Sequence, residues 1–262
     1  MNPAVGKFQQ YAKVAMVGFV IAQQITLGFA AKLFLKGKAL RKFQISILQR
    51  SARLVLAILG VKVTVEKAAN WRENQGYLVV SNHLSYLDTV IIASFQPVCF
   101  VSTIEVKETP VLGLTVEASG CLFVERRSRE RLREEIKEME QTLRDGFALT
   151  FFPEGTSSNG SSVLEFKSSL FAPAQRAGIP VLPAVIQLEA IDGKPITSAN
   201  RDLFCWHGDM KFAPHLISIA GCEEIKVSLK ILPEIPITEK ISRDELSAGA
   251  RAAIISHYHP NL

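Results

Sequence analysis

The pair of residues whose types and spacing most directly suggest chemistry is His83 and Asp88, in the run Asn82-His83-Leu84-Ser85-Tyr86-Leu87-Asp88. It follows a strand-like stretch from Gly76 to Val80. This spacing puts the histidine in a turn and the aspartate one turn into the element beyond it. From there a carboxylate reaches back to one ring nitrogen and fixes the tautomer, leaving the other nitrogen to take a proton. Alone the pair carries little weight, because loop histidines near a helix-starting acid are common. Its surroundings decide.

The elements that must position it alternate from residue 61 onward. Val61–Val65, Tyr77–Val80, Cys99–Ser102, Cys121–Val124, Phe147–Phe152, Ile179–Ile186 and Val227–Leu232 read as short apolar strands. Leu87–Ser94 reads as a helix, and Pro110 and Gly113 limit any helix over 107–114. The clearest helix starts after an N-cap at Ser128. It places Leu132, Ile136, Met139 and Leu143 on one face, and Gly146 closes it. Phe166–Ala177 is expected to be helical with a kink near Pro173. Strand–helix–strand repetition implies an α/β fold, with a mostly parallel central sheet flanked by helices.

Three further stretches follow the pair in order. Gly120–Arg127 ends a buried strand on two arginines, and a guanidinium fork there can clamp a phosphate as well as start a solvated helix. Phe151–Ser158 ends a strand in a Pro-Glu-Gly turn with hydroxyls behind it. Gly178–Val185 carries two prolines, which point to a sheet edge or a strand end beside a site.

Together NHLSYLD (82–88), GCLFVER (120–126), FPEGTSS (152–158) and IPVLPAV (179–185) resemble the four ordered blocks of the glycerophospholipid acyltransferase family, whose best-known members are 1-acylglycerol-3-phosphate O-acyltransferases. The resemblance implies His83 as general base and Asp88 as its orienting partner. It implies Arg126 as a contact for the acceptor's phosphate. Glu154 and Gly155, with Thr156 beside them, would shape the acceptor site, and Pro183 the floor of the acyl-donor cleft. The reaction it implies moves a fatty acyl group from acyl-CoA or acyl carrier protein to a lysolipid hydroxyl, with no metal and no cofactor beyond that co-substrate. Many members carry an arginine where Ser157 stands, and Arg126, Arg127 or Lys167 could replace it. Lysophosphatidic acid is the first expectation for the acceptor, and a lyso-ornithine lipid or another lysolipid the alternative. A non-catalytic lipid-binding protein of the same fold is a further possibility, against which His83, Asp88 and Glu154 all stand.

Composition agrees with work at a membrane surface. Of 262 residues, 48% are hydrophobic and 21% charged, too many charges for a polytopic membrane protein. Residues 1–65 hold ten Lys/Arg and no acid before Glu66; the rest carries 20 basic against 25 acidic residues. A basic, apolar N-terminus suggests anionic lipid rather than nucleic acid as partner. Val14–Ala31 lacks charge, although Gln23, Gln24 and Thr26 interrupt it, and Phe43–Gly60 is interrupted by Arg50 and Arg53. A two-helix membrane-docking element over 1–60, lying in the interface, is therefore favoured over a single span at 14–31, ahead of an α/β domain over 61–262. The four cysteines lack metal-ligand spacing and read as core filler in a reduced compartment, with the active site facing the cytoplasm. His207 and Asp209 are too close together to orient one another, so Cys205–Met210 reads as a loop beside the cleft; it also resembles a Trp-x-Gly-Asp-Met stretch of some bacterial members. His257-Tyr258-His259 reads as a frayed tail.

Overall fold

The structure, a computed structural model, describes residues 3–72, 75–125 and 129–260. Two long helices, α1 (Pro3–Phe34) and α2 (Gly37–Leu59), precede β1 (Val61–Lys67), β2 (Leu78–Ser81), α3 (Leu87–Phe95) and β3 (Cys99–Thr103). Next come α4 (Ile104–Lys107), α5 (Leu112–Ala118), β4 (Leu122–Val124), α6 (Arg129–Arg144) and β5 (Leu149–Phe151). The chain closes through α7 (Ala172–Ala177), β6 (Val181–Ile191), β7 (Lys194–Pro195), α8 (Phe212–Ala220), β8 (Ile225–Ile231) and α9 (Arg243–Ile255).

The strand order is β1-β8-β6-β2-β5-β3-β4, with β7 beside β6. Every pairing is parallel except those of β6 with β7 and β8. The sheet is covered on both faces, which is why a central strand such as β2 is an unbroken apolar run. Tyr77 and Val79 pack with Leu59, Ile91 and Ile219 of α2, α3 and α8. Leu78 and Val80 pack with Met139, Leu143, Ala174 and Leu246 of α6, α7 and α9. On α6, Ile136, Met139 and Leu143 are buried as the periodicity predicts, while the expected cap, Ser128, lies outside the described residues.

Three expectations change. Pro180 precedes β6, but Pro183 sits inside this central strand, opposite Val80 of β2, rather than at an edge. Its missing amide falls in the gap between the Val181–Ile235 bridge and the β8 ladder, which begins at Ala184–Ile231, so no ladder bond is lost there. Pro173 does not kink a helix. A 3₁₀ turn over Ser168–Phe171 hands over to α7, where Pro173 occupies the first turn, in which its absent N–H costs nothing. The tail is not frayed either: Tyr258 is 7% exposed and its hydroxyl donates to the Gly160 carbonyl at 2.6 Å.

Packing runs without a break across residue 60. Val55, Leu56 and Leu59 of α2 belong to the same core as the strands, and Gly60, in the left-handed region at φ 77°, turns α2 directly into β1. α1 is different. By length and composition it can cross a bilayer. Among its described residues only a narrow strip, Val17, Val20, Gln24, Gly28 and Ala31, is buried, while Phe8, Phe19, Leu33 and Phe34 are more than 70% exposed. Polar ties hold it along its length: Gln10 Nε2 to the Ile217 carbonyl at 2.6 Å, Lys13 Nζ to the Cys222 carbonyl at 2.8 Å, and Lys32 to Glu117 at 2.6 Å. Gln24 donates to Ser119 Oγ at 2.6 Å, which explains a glutamine in the middle of an apolar run. Gly28 lets the helix lie directly on α5, because a Cβ there would overlap the Ala118 carbonyl.

Candidate active site

Two adjacent parallel strands, β2 and β5, end on the same edge of the sheet and deliver the site, while β6 runs beside β2 and past its end. β2 runs into the turn that carries His83, β5 into Phe152-Pro153-Glu154-Gly155, and β6 flanks β2 on the other side. Asn82 fixes the turn to β6, giving Nδ2–H to the Ile186 carbonyl and taking the Ile186 amide on Oδ1, both at 2.9 Å. Crevices at the carboxyl ends of such strands are where open α/β sheets bind ligands.

Asp88 enters in the first turn of α3, wholly buried. Its Oδ2 lies 2.8 Å from His83 Nδ1 and also accepts the amides of Leu84 at 2.6 Å and Ser85 at 2.9 Å. With Nδ1 occupied, Nε2 is the nitrogen left for proton transfer. The imidazole stacks on Phe152, with centroids 4.0 Å apart and planes 10° from parallel. Both of its sides are thus specified, one by a carboxylate and one by an aromatic face.

The backbone of His83 is pinned as well. Its N–H donates to Glu154 Oε1 at 2.9 Å, and its carbonyl accepts the Ser158 amide at 2.9 Å. Glu154 Oε2 takes the Leu164 amide at 3.1 Å. Burial pushes the Glu154 carboxyl up to about 7, against the pull of those two amides. With both oxygens engaged and the residue 5% exposed, Glu154 braces the His83 turn.

The other expected residues divide between rim and interior. Gly155 and Thr156 are exposed; Gly155, at φ 75°, closes a turn by donating to the Phe152 carbonyl at 3.0 Å. Ser157 is buried and its hydroxyl donates to the Trp206 carbonyl. Trp206 in turn donates its amide to the Leu84 carbonyl at 2.8 Å, so the 205–210 stretch is a loop beside the site, with His207 paired to Asp202 at 3.2 Å. Lys167 lines a cavity of about 430 Å³ with Phe152, Pro153, Ser168, Ser169 and Leu132. Pro183 is buried in β6, beside the β2 end that carries the turn. Arg126 and Arg127 lie outside the described residues; the strand before them, β4, is followed as far as Glu125. Cys99, Cys205 and Cys222 are buried, and burial raises the Cys99 thiol to about 12.

Sequence reasoning did not single out Phe152, Ser158 or Asn82. Phe152 and Ser158 sit inside the block that carries Glu154, and Asn82 precedes His83, so position next to a motif was the available signal.

Comparisons with known proteins bear on the family and the fold. The Acyltransferase family matches residues 62–187. A lyso-ornithine lipid O-acyltransferase of Rhodobacter capsulatus is 32% identical over 207 residues, covering 78% of this chain and 72% of that protein. Another from Pseudomonas aeruginosa is 31% identical, covering 87% and 86%. A 1-acyl-sn-glycerol-3-phosphate acyltransferase of Neisseria meningitidis is 35% identical, covering 54% of this chain and 55% of its own. The crystal structure of the 1-acyl-sn-glycerophosphate acyltransferase PlsC from Thermotoga maritima superposes with a TM-score of 0.68 at 21% identity, covering 97% of this chain and 93% of that one, so the fold is shared. The chain belongs to the Acyltransferase family and is an acyltransferase of the lysolipid type exemplified by the 1-acylglycerol-3-phosphate O-acyltransferases.

Proposed function

We propose that His83 is the general base for acyl transfer from a thioester to a lysolipid hydroxyl, and that the acceptor is a lyso-ornithine lipid. The observation that carries the mechanism is the 2.8 Å contact between His83 Nδ1 and a buried Asp88 carboxylate, on a ring held by Phe152. His83 Nε2 takes the acceptor's proton as its oxygen attacks the thioester carbonyl. The tetrahedral intermediate then collapses, the C–S bond breaks, and the imidazolium protonates the departing thiolate. No side-chain nucleophile is needed, because the acceptor brings its own. General-base catalysis supplies about 10²–10⁴-fold, with proximity adding to it. The donor is acyl-CoA or acyl carrier protein.

For the acceptor, the supporting observation is Ser157. Where many relatives place a cation, a neutral hydroxyl is already engaged by the Trp206 carbonyl. A headgroup built on an amino acid does not require that cation, whereas a phosphomonoester gains roughly 1.5–3 kcal/mol from a charged hydrogen bond. Relatives named for lyso-ornithine lipid also match over more of this chain. Lysophosphatidic acid is the second reading, favoured by Lys167 in the adjoining cavity. The enzyme works at an anionic membrane surface, with α1 lying in the interface, since its ties to the body run from Gln10 to Lys32. One radiolabelled acyl-CoA offered with a panel of lysolipids tests these readings. Wild type is expected to prefer lyso-ornithine lipid, Ser157→Ala to keep that preference, and Ser157→Arg to gain activity on lysophosphatidic acid. Equal or better use of lysophosphatidic acid by wild type would reverse the acceptor assignment, and no transfer to any lysolipid would leave a lipid-binding protein.

A further inference from the structure

Beyond α1, a second apolar edge stands exposed. Pro110-Val111-Leu112 is a γ-turn, closed by the Leu112 amide donating to the Pro110 carbonyl at 2.7 Å, with Val111 at φ 64° and ψ −52°. A β-branched residue at positive φ is a strained arrangement, and such strain clusters where a segment has work to do. Burial does not compensate it here: Val111 is 60% exposed, Leu112 40% and Leu114 50%. Between the leucines, Gly113 packs on the Lys107 carbonyl so closely that a Cβ would overlap it. The turn is therefore seated directly against the end of α4.

This edge is continuous with α1. Val111 forms part of the wall of a cavity of about 260 Å³, completed by Val14, Gly18, Ala22 and Ile25 of α1 and by Phe212 of α8. Gly18, Ala22 and Phe212 are themselves exposed, so the cavity opens outward as a groove along one apolar surface. Exposed cations neighbour it in the chain: Lys107 before the turn, Lys211 before Phe212, and Lys7 on α1. Glu105 and Glu108 flank Lys107, and Glu117 of α5 pairs with Lys32, so near the turn apolar insertion outweighs charge, while α1 itself carries cations and no acid. An apolar centre with a basic border matches an anionic lipid leaflet.

We propose that Val111, Leu112 and Leu114 form a second membrane-inserting wedge that enters the same leaflet as the outer face of α1. The wedge extends the proposed surface docking of α1 and fixes the protein's rotation about that helix, since one helix alone leaves the roll free. The full-length protein is mixed with vesicles of phosphatidylcholine and phosphatidylglycerol, with or without bromine in the acyl chains. Leu112→Trp is expected to shift its emission to the blue and to be quenched by the brominated lipid beyond the signal of Trp71 and Trp206 in the wild type. A Leu112→Asp/Leu114→Asp double variant is expected to partition on the order of tenfold less onto vesicles. Its thermal melt and its acyl transfer from detergent-dispersed substrates should stay at the wild-type level. Quenching of Phe19→Trp without quenching of Leu112→Trp overturns the wedge, and absence of both overturns the docking of α1 with it. Quenching of Leu112→Trp in a protein that acylates no lysolipid leaves the wedge standing and removes the proposed function.

Discussion

The turn at His83 and the helix α1 are held to the same body by opposite means. Around His83 the bonds converge on three buried side chains: Asp88 accepts three donors on one oxygen, Glu154 two amides, and Asn82 engages both backbone groups of Ile186. Among the described residues α1 rests on a narrow strip and five polar ties, three of them part-exposed, with its aromatic ridge left bare. Chemistry needs a ring fixed within a fraction of an ångström, and a lipid surface needs area rather than precision. Substitutions in the first region should therefore change turnover, and those in the second stability or docking.

The largest effect expected is at His83 itself. His83→Ala should lower kcat about 10²–10⁴-fold in the labelled acyl-CoA assay while the thermal melt stays near wild type. Near-normal turnover would remove the proposed base. Glu154→Gln comes next. The folded carboxyl, at about 7, holds a proton that the unfolded chain loses near 4.5, so its contribution to stability is present below that value and lost as pH rises toward 7. The wild type should lose roughly 3 kcal/mol across this window in denaturant titrations, and the variant, unable to ionise, should show a flatter profile. As a brace it should also lower kcat and leave the acceptor KM alone; a change confined to KM would make Glu154 a substrate contact.

In the other region, Gly28→Val forces α1 off the Ala118 carbonyl and should cost about 1–3 kcal/mol of overpacking, read as a lower melting temperature with kcat intact in detergent. Gln24→Ala should be mildest, about 1 kcal/mol for one buried hydrogen bond, because Ser119 Oγ still donates to the Thr115 carbonyl. If Gln24→Ala abolished turnover, the division between the two regions would fail.

Local pattern carried much of this molecule. The 3.6-residue spacing of Ile136, Met139 and Leu143 and the apolar runs before residues 82 and 152 all recur as elements. The His83–Asp88 contact was legible because five residues span a single turn. What was not legible depends on strand order. Phe152 meets His83 only because β5 lies beside β2, and Pro183 looked like an edge residue because nothing in its own stretch reveals the ladder gap that accommodates it. The tie of the Ser157 hydroxyl to the Trp206 carbonyl was not legible either, because the two residues are 49 apart.

The anchoring of the loop behind Glu154 also bears on the order in which the protein is made. Arg251 donates to the carbonyls of Val163 and Leu164 at 3.1 and 2.8 Å, and Tyr258 to that of Gly160. Leu164 in turn supports Glu154, and Glu154 supports His83. During synthesis the loop that steadies the His83 turn lacks these anchors until residues 251 and 258 have left the exit tunnel. The support of the His83 turn is therefore among the last contacts that the growing chain can complete.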